Sequence, residues 1–362
     1  MIQHEFAMTA CIVAMLTTPP AHAQLERVRV ADDQRGFVLT PSGKAFVPHG
    51  FNYDHDEKGR LIEDYWDAEW AKVVEDFHEM RDLGANVARI HLQFGRFMKG
   101  PETPNDQALD RLGKLLELAA GDSLHVDLTG LGCYHKADVP PWYDSLDEKQ
   151  RWAAQAVFWR AVAERAACSP AVFCYDLMNE PVVPGGRREG RDWLGGAFGG
   201  KHFVQFLSLD QADRPRHEVA EAWVKTLVAA IREKDQRALI TVGLVDWSLD
   251  RPGKLYSGTP PETLAKQLDF LCVHLYPAPQ KLNEEMETLK AFAVGKPVVI
   301  EETFPLKCGI ADFGRFVERS RTFAAGWVGF YWGKTPEECR KGGTIADAMM
   351  LGWLDFFQKT KW

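Results

Sequence analysis

The chain has 362 residues, of which 46% are hydrophobic and 11% aromatic, with 12 Trp and a formal net charge of −8. That length and apolar share suffice for one large core, which a single domain of about 250 residues plus loops would use up. The acidic balance, without any Lys/Arg-rich run, excludes the electrostatic footprint of a nucleic-acid or anionic-membrane binder, so neither is an expected partner.

At the N-terminus an apolar stretch over Ala7–Leu16 precedes Pro19-Pro20 and Ala21-His22-Ala23. This is the order of an apolar h-region and a small-x-small cleavage site, so residues 1–23 read as a signal peptide cleaved near Ala23 and 24–362 as one secreted or periplasmic domain. The segment before the apolar stretch carries Glu5 and no Lys or Arg, which is atypical. A membrane span would need about 20 apolar residues, roughly twice what is present. Among the seven cysteines, Cys174 and Cys272 sit inside apolar runs as small hydrophobes, and Cys308 with Cys339 is the candidate disulfide. No C-x-x-C or H-E-x-x-H spacing occurs, so no metal and no cofactor is expected.

From Lys44 onward short apolar runs alternate with amphipathic helical patterns. The strand candidates are Phe46–Phe51, Asn86–Leu92, Leu124–Leu128, Val172–Met178, Leu239–Leu244, Phe270–Leu275, Pro297–Glu302 and Trp327–Trp332. Between them, sets such as Trp66, Trp70, Val73, Phe77 and Trp223, Leu227, Val228, Ile231 carry the spacing of one buried helical face, as do the stretches near 107–120, 148–166, 282–293, 312–325 and 345–358. Strands separated by helices pair in parallel through crossovers, and eight such units close as a (β/α)₈ barrel. Phe37–Leu39 followed by Pro41-Ser42-Gly43 predicts an N-terminal β-hairpin that plugs the barrel bottom. After the fourth strand, Pro181 to Arg216 is a long loop on the catalytic face with three Gly-Gly pairs.

Barrel chemistry sits at the C-terminal strand ends. There the sequence offers Asn52-Tyr53, Arg89 with His91, Asn179-Glu180, His274 with Tyr276, Glu302 and Trp332. Two glutamates on two strand ends supply what glycoside hydrolysis requires, one carboxyl to protonate the leaving oxygen and one carboxylate to attack the anomeric carbon. Strand alternation puts Val298, Ile300 and Glu302 on one face and Glu301 on the other. With Val298 and Ile300 lining the barrel, Glu302 would face the axis and Glu301 would turn away.

Gly84-Ala85-Asn86-Val87-Ala88-Arg89-Ile90, Asn179-Glu180-Pro181, His274-Leu275-Tyr276, Lys296-Pro297 through Glu302 and Phe330-Tyr331-Trp332 follow one another in the chain. In that order they resemble clan A glycoside hydrolases, most closely glycoside hydrolase family 5, the cellulase and mannanase family. The resemblance implies Glu180 as acid/base and Glu302 as nucleophile. It further implies Asn179 on the sugar 2-hydroxyl, Arg89 and Tyr276 on the nucleophile, His274 beside the acid/base and Trp332 as the platform under the sugar; Asn52, from its place at a strand end, is a further candidate substrate contact. Many members end the third strand with a histidine, whereas Val126 to Gly132 has none there. Tyr134-His135 and Pro140-Pro141-Trp142-Tyr143 follow instead, making His135 and Trp142 candidate substrate contacts from the loop. The implied activity is a retaining β-glycosidase, a monomer acting on a β-linked polysaccharide or oligosaccharide, with β-mannan and β-1,4-glucan foremost. A transglycosylase would use the same residues. A non-catalytic carbohydrate-binding barrel would be marked by loss of a carboxylate, and both are present.

Overall fold

The computed structural model describes residues 25–362 apart from Arg191, so the predicted leader lies outside the described residues. Eight parallel strands close a barrel. In chain order they are β1 (His49–Tyr53), β2 (Val87–Gln93), β3 (His125–Gly132), β4 (Val172–Asn179), β5 (Ile240–Val245), β6 (Leu271–His274), β7 (Val298–Thr303) and β8 (Gly326–Gly329). Each pairs with the next, and β8 pairs with β1. Helices including Trp70–Asp82, Asp106–Gly121, Glu148–Ala166, Arg216–Arg232 and Ile345–Lys359 form the outer layer.

Local chemistry explains the element boundaries. The helix Glu148–Ala166 begins where the Asp147 carboxylate accepts from the Gln150 backbone N–H, while the Gln150 side chain answers to the Asp147 N–H, closing a capping box. It then buries Phe158, Trp159 and Val162 in the layer between helices and barrel. The predicted first strand splits: Ala45–Phe46 belongs to a small antiparallel sheet with Arg27–Val30 and Phe37–Thr40, and the barrel strand starts at His49. That sheet inserts Val28, Phe37 and Phe46 into an apolar cluster with Val87, Phe173, Phe270 and Val299, closing the barrel bottom. Phe37 meets the Phe173 and Phe270 rings edge-on at 5.3 and 5.2 Å.

The long loop after β4 carries two-residue parallel strands, Pro181–Val182 and Gln205–Phe206, and runs on to the helix Arg216–Arg232. The expected Cys308–Cys339 bridge is not formed: both thiols are free, Cys339 buried in the short helix Pro336–Gly342 and Cys308 half-buried in the loop after β7. Among the described residues no helix is long and apolar enough to cross a membrane.

Candidate active site

At the C-terminal end of the barrel a cleft of about 450 Å³ is lined by Glu180, Glu302 and Tyr276 together with Phe203, Phe330 and Tyr331. Glu180 leaves β4 in the left-handed region, with φ of +46°. That conformation costs an L-residue roughly 1–2 kcal/mol, and it is held by the Glu180 N–H donating to the Gly243 carbonyl at 2.9 Å. Glu302 is 6% exposed. Its Oε1 accepts from Arg89 at 2.8 Å and its Oε2 from the Tyr276 hydroxyl at 2.8 Å. His274 sits between the two glutamates, its Nδ1 3.0 Å from Glu180 and 3.4 Å from Glu302. One oxygen of each glutamate and a His274 ring nitrogen all lie within 4.8 Å of one another.

The electrostatics follow from burial set against these partners. Burial alone disfavours a charged imidazole, but Glu302, Glu180 and Glu301 around His274 push its pKa up to about 10. Glu302 is pushed above its ordinary value by burial, against the pull of His274 and Arg89. Arg89 is fully buried and, although burial opposes its charge, Glu301, Asp176 and Glu302 hold it cationic.

A second ionisable cluster lies below the first. Asp127, Asp176 and Glu301 are sealed from solvent, with one oxygen of each within 4.8 Å of the others. Arg89 Nη2 donates to Asp176 at 2.7 Å and lies 3.4 Å from Glu301, which is also 3.4 Å from His274 Nε2. Gly243 makes room for this cluster, because a Cβ there would meet Arg89, Glu301 and Asp176 at 3.0 to 3.2 Å. Despite its burial, Arg89 and His274 hold Glu301 at about 2, while burial and the neighbouring Glu301 push Asp127 well up. Both clusters have carboxylate donors of the kind that bind cations. Arg89 and a charged His274 already supply the positive charge in each, so the donor sets call for no metal.

Several sequence expectations change here. Val299, not Val298 or Ile300, belongs to the barrel-interior cluster, and Glu301 points inward. Glu302 still reaches the cleft because the β6–β7 register shifts, Val273 facing Ile300 but His274 facing Glu302. The extra residue breaks strict alternation, so two consecutive carboxylates serve the same side of the strand. Trp332 is not a platform. It is 1% exposed, packs on Phe51 and donates its indole N–H to Asp76 at 3.0 Å. The strand has ended at Gly329, and the turn aims Phe330 and Tyr331 at the cleft while directing Trp332 into the helical layer.

Asn52 is fully buried and works on the protein rather than at the cleft surface, donating to the Glu301 carbonyl and accepting from Arg89. Asn179 accepts from Arg89 at 3.0 Å and donates to the Phe203 carbonyl at 3.2 Å. His135 lies 3.6 Å from Asp138 and Trp142 packs on Phe94, and neither lines the cleft. Sequence reasoning missed the roles of Asp127, Asp176, Glu301, Phe203 and Phe330. The first two had a signal: a charge in mid-strand between apolar neighbours is costly unless it is paired.

The cellulase family, glycosyl hydrolase family 5, matches residues 44–303. No curated protein matches the chain by sequence. Among solved structures, an exo-β-1,4-mannosidase from Opitutaceae bacterium strain TAV5 superposes with a TM-score of 0.64 at 17% identity, over 91% of this chain and 61% of that one. The chain therefore spans less than two thirds of that enzyme. The endo-1,4-β-mannanase of Rhizomucor miehei gives 0.61 at 18% identity over 92% and 100%, and the β-mannanase of the blue mussel Mytilus edulis 0.61 at 17% over 93% and 97%. At such identities the likeness establishes the fold. The family match covers more than half of the sequence, including both β4 and β7 glutamates, so the chain belongs to glycosyl hydrolase family 5 and is a glycoside hydrolase.

Proposed function

We propose that the enzyme is a retaining β-glycosidase that transfers a β-linked sugar to water by double displacement, with Glu302 as nucleophile and Glu180 as acid/base. The observation that carries this reading is the pair of carboxylate oxygens within 4.8 Å across the cleft, Arg89 and Tyr276 both donating to Glu302. Retaining pairs stand about 5 to 5.5 Å apart, whereas inverting pairs leave room for a water at about 6.5 to 9.5 Å.

In the first step Glu302 attacks the anomeric carbon while Glu180 gives its proton to the departing oxygen. In the second, Glu180 takes a proton from water, which attacks the same carbon and releases Glu302. Arg89 and Tyr276 aim the Glu302 lone pairs and disperse the charge that returns to it. His274 stands between the glutamates, and its charge favours the ionised form of Glu302 that attacks. A β-mannosyl or β-glucosyl unit is the sugar we assign, and the mannosidase and mannanases that share the fold support mannosyl. The segment 1–23 acts as an export signal, which mass spectrometry of exported protein would test by a mature N-terminus near Gln24; an intact leader on the active protein would refute it.

The test of the pair is chemical. Glu180→Ala should lose activity on unactivated glycosides yet form the covalent intermediate from an activated aryl β-glycoside, and azide should restore turnover with a β-glycosyl azide as product. Glu302→Ala should be inactive on both, any azide product being α. A β-azide from Glu302→Ala would reverse the two roles.

A further inference from the structure

The wall of the catalytic cleft is unusually apolar for a site that binds only sugar. Besides the two glutamates, its side chains include Phe198, Phe203, Val204, Phe304, Leu306 and Phe330. Besides the glutamates, its hydrogen-bonding side chains are few: Tyr276, Tyr331 and Lys307. The Tyr276 hydroxyl donates to Glu302, and the Tyr331 ring stacks on His55 with centroids 4.1 Å apart. Groups suited to a row of sugar hydroxyls gather in an adjoining chamber of about 400 Å³, which shares Tyr276 and Lys307 with the cleft and adds His274, Asp246, Arg251, Gln280 and Glu284. A sugar hydroxyl buried against phenylalanine without a partner loses its water and gains nothing in return.

The second observation is at the rim. Phe198, 73% exposed on the loop after β4, and Leu306, 53% exposed on the loop after β7, both line this cleft. Large apolar side chains left in water at two places on one rim, continuous with an apolar wall that reaches the catalytic carboxylates, mark a surface completed by an apolar ligand. A compact aryl group would stay within the 450 Å³ of the cleft, whereas a chain leaving it would pass between Phe198 and Leu306.

We infer that the natural substrate is an amphiphilic β-glycoside whose sugar is joined to an alkyl chain, the chain lying along Phe203, Phe304 and Phe330 and leaving between Phe198 and Leu306. This rests on the assignment of Glu180 and Glu302 as the reacting pair, and it specifies what the transferred sugar is attached to.

The experiment uses S-alkyl β-thioglucosides and β-thiomannosides from methyl to octyl, which resist hydrolysis, with binding measured calorimetrically below their micellar concentrations. Hydrolysis of the matching O-alkyl glycosides is followed in parallel. In the preferred sugar series the dissociation constant should fall about threefold to fourfold per methylene over the first several carbons, the increment expected for burying each group. Phe198→Ser with Leu306→Ser should flatten the slope for the longer chains, and Leu255→Ser, an exposed apolar residue outside the cleft, should leave it as it is. Dissociation constants independent of chain length in both series, or a slope that the double variant leaves intact, would overturn the inference while leaving the glycosidase assignment standing. A chain-length slope in binding with no cleavage of any O-glycoside would instead overturn the assignment of the catalytic pair.

Discussion

Two clusters of ionisable side chains share one barrel, and they differ chiefly in access. Glu180 and Glu302 line the cleft and His274 the chamber beside it, whereas Asp127, Asp176 and Glu301 lie one layer below and are buried. Arg89 and His274 bridge the two layers, each contacting both Glu301 and Glu302. The upper cluster has carboxylate oxygens with room for a ligand beside them, so it can do chemistry. The lower one has its charges matched within the protein, so it can only hold and bias what lies above. A carboxylate's role here is set by what stands next to it, since two adjacent residues of one strand, Glu301 and Glu302, fall into different layers.

The largest expected effect separates the layers outright. Removing the upper carboxylates should cost on the order of 10²- to 10⁴-fold in kcat for Glu180→Ala on unactivated substrate, and at least as much for Glu302→Ala. Equal losses on an activated aryl glycoside would contradict the division between acid/base and nucleophile.

Next comes Glu301→Gln, which keeps the shape and removes the charge. Breaking a buried ion pair on one side costs roughly 3–5 kcal/mol, so denaturant unfolding should show a large loss of stability. Misplaced Arg89 and His274 should lower kcat by about 10²-fold with little change in KM. Strand alternation alone would make this variant nearly silent, so retention of most activity and stability would restore the outward placement of Glu301.

The same variant should alter the pH dependence. His274 is raised to about 10, so the stability it contributes is complete below its unfolded value near 6.5 and is lost as pH rises through about 10. Glu301 is lowered to about 2, so its contribution is complete above about 4.3 and is lost as pH falls through about 2. In Glu301→Gln, His274 loses a partner and its pKa should fall, starting the alkaline decline of stability at lower pH. Unfolding midpoints recorded across pH would check this, and an unmoved alkaline limb would show that Glu301 does not govern His274.

The smallest effect should be Asp127→Asn. Burial and Glu301 push this carboxyl up, toward the neutral form that an amide mimics. Stability should change by about 1 kcal/mol or less, with activity nearly unchanged. A loss as large as that of Glu301→Gln would mean that Asp127 carries a charge and that the lower layer is balanced differently.

The eight apolar runs, the helices between them and the N-terminal hairpin were legible in the sequence because periodicity records which face is buried, and a barrel repeats that record eight times. Strand-end polar residues were legible for the same reason, since Glu180, Glu302, Arg89, His274 and Tyr276 interrupt or end apolar runs. Their mutual contacts were not, because a one-residue bulge between β6 and β7 decides which of Glu301 and Glu302 meets the cleft, and a register shift leaves no mark in the alternation of side chains. Nor was the fate of Trp332. Phe330, Tyr331 and Trp332 are three aromatics in a row, and the turn after Gly329 selects which of them face ligand and which fills the core. Composition and spacing thus determined the barrel and the residue types at its catalytic end. The tertiary structure alone decided how those side chains pair, because charge balance and cleft polarity depend on distances between strands far apart in the chain.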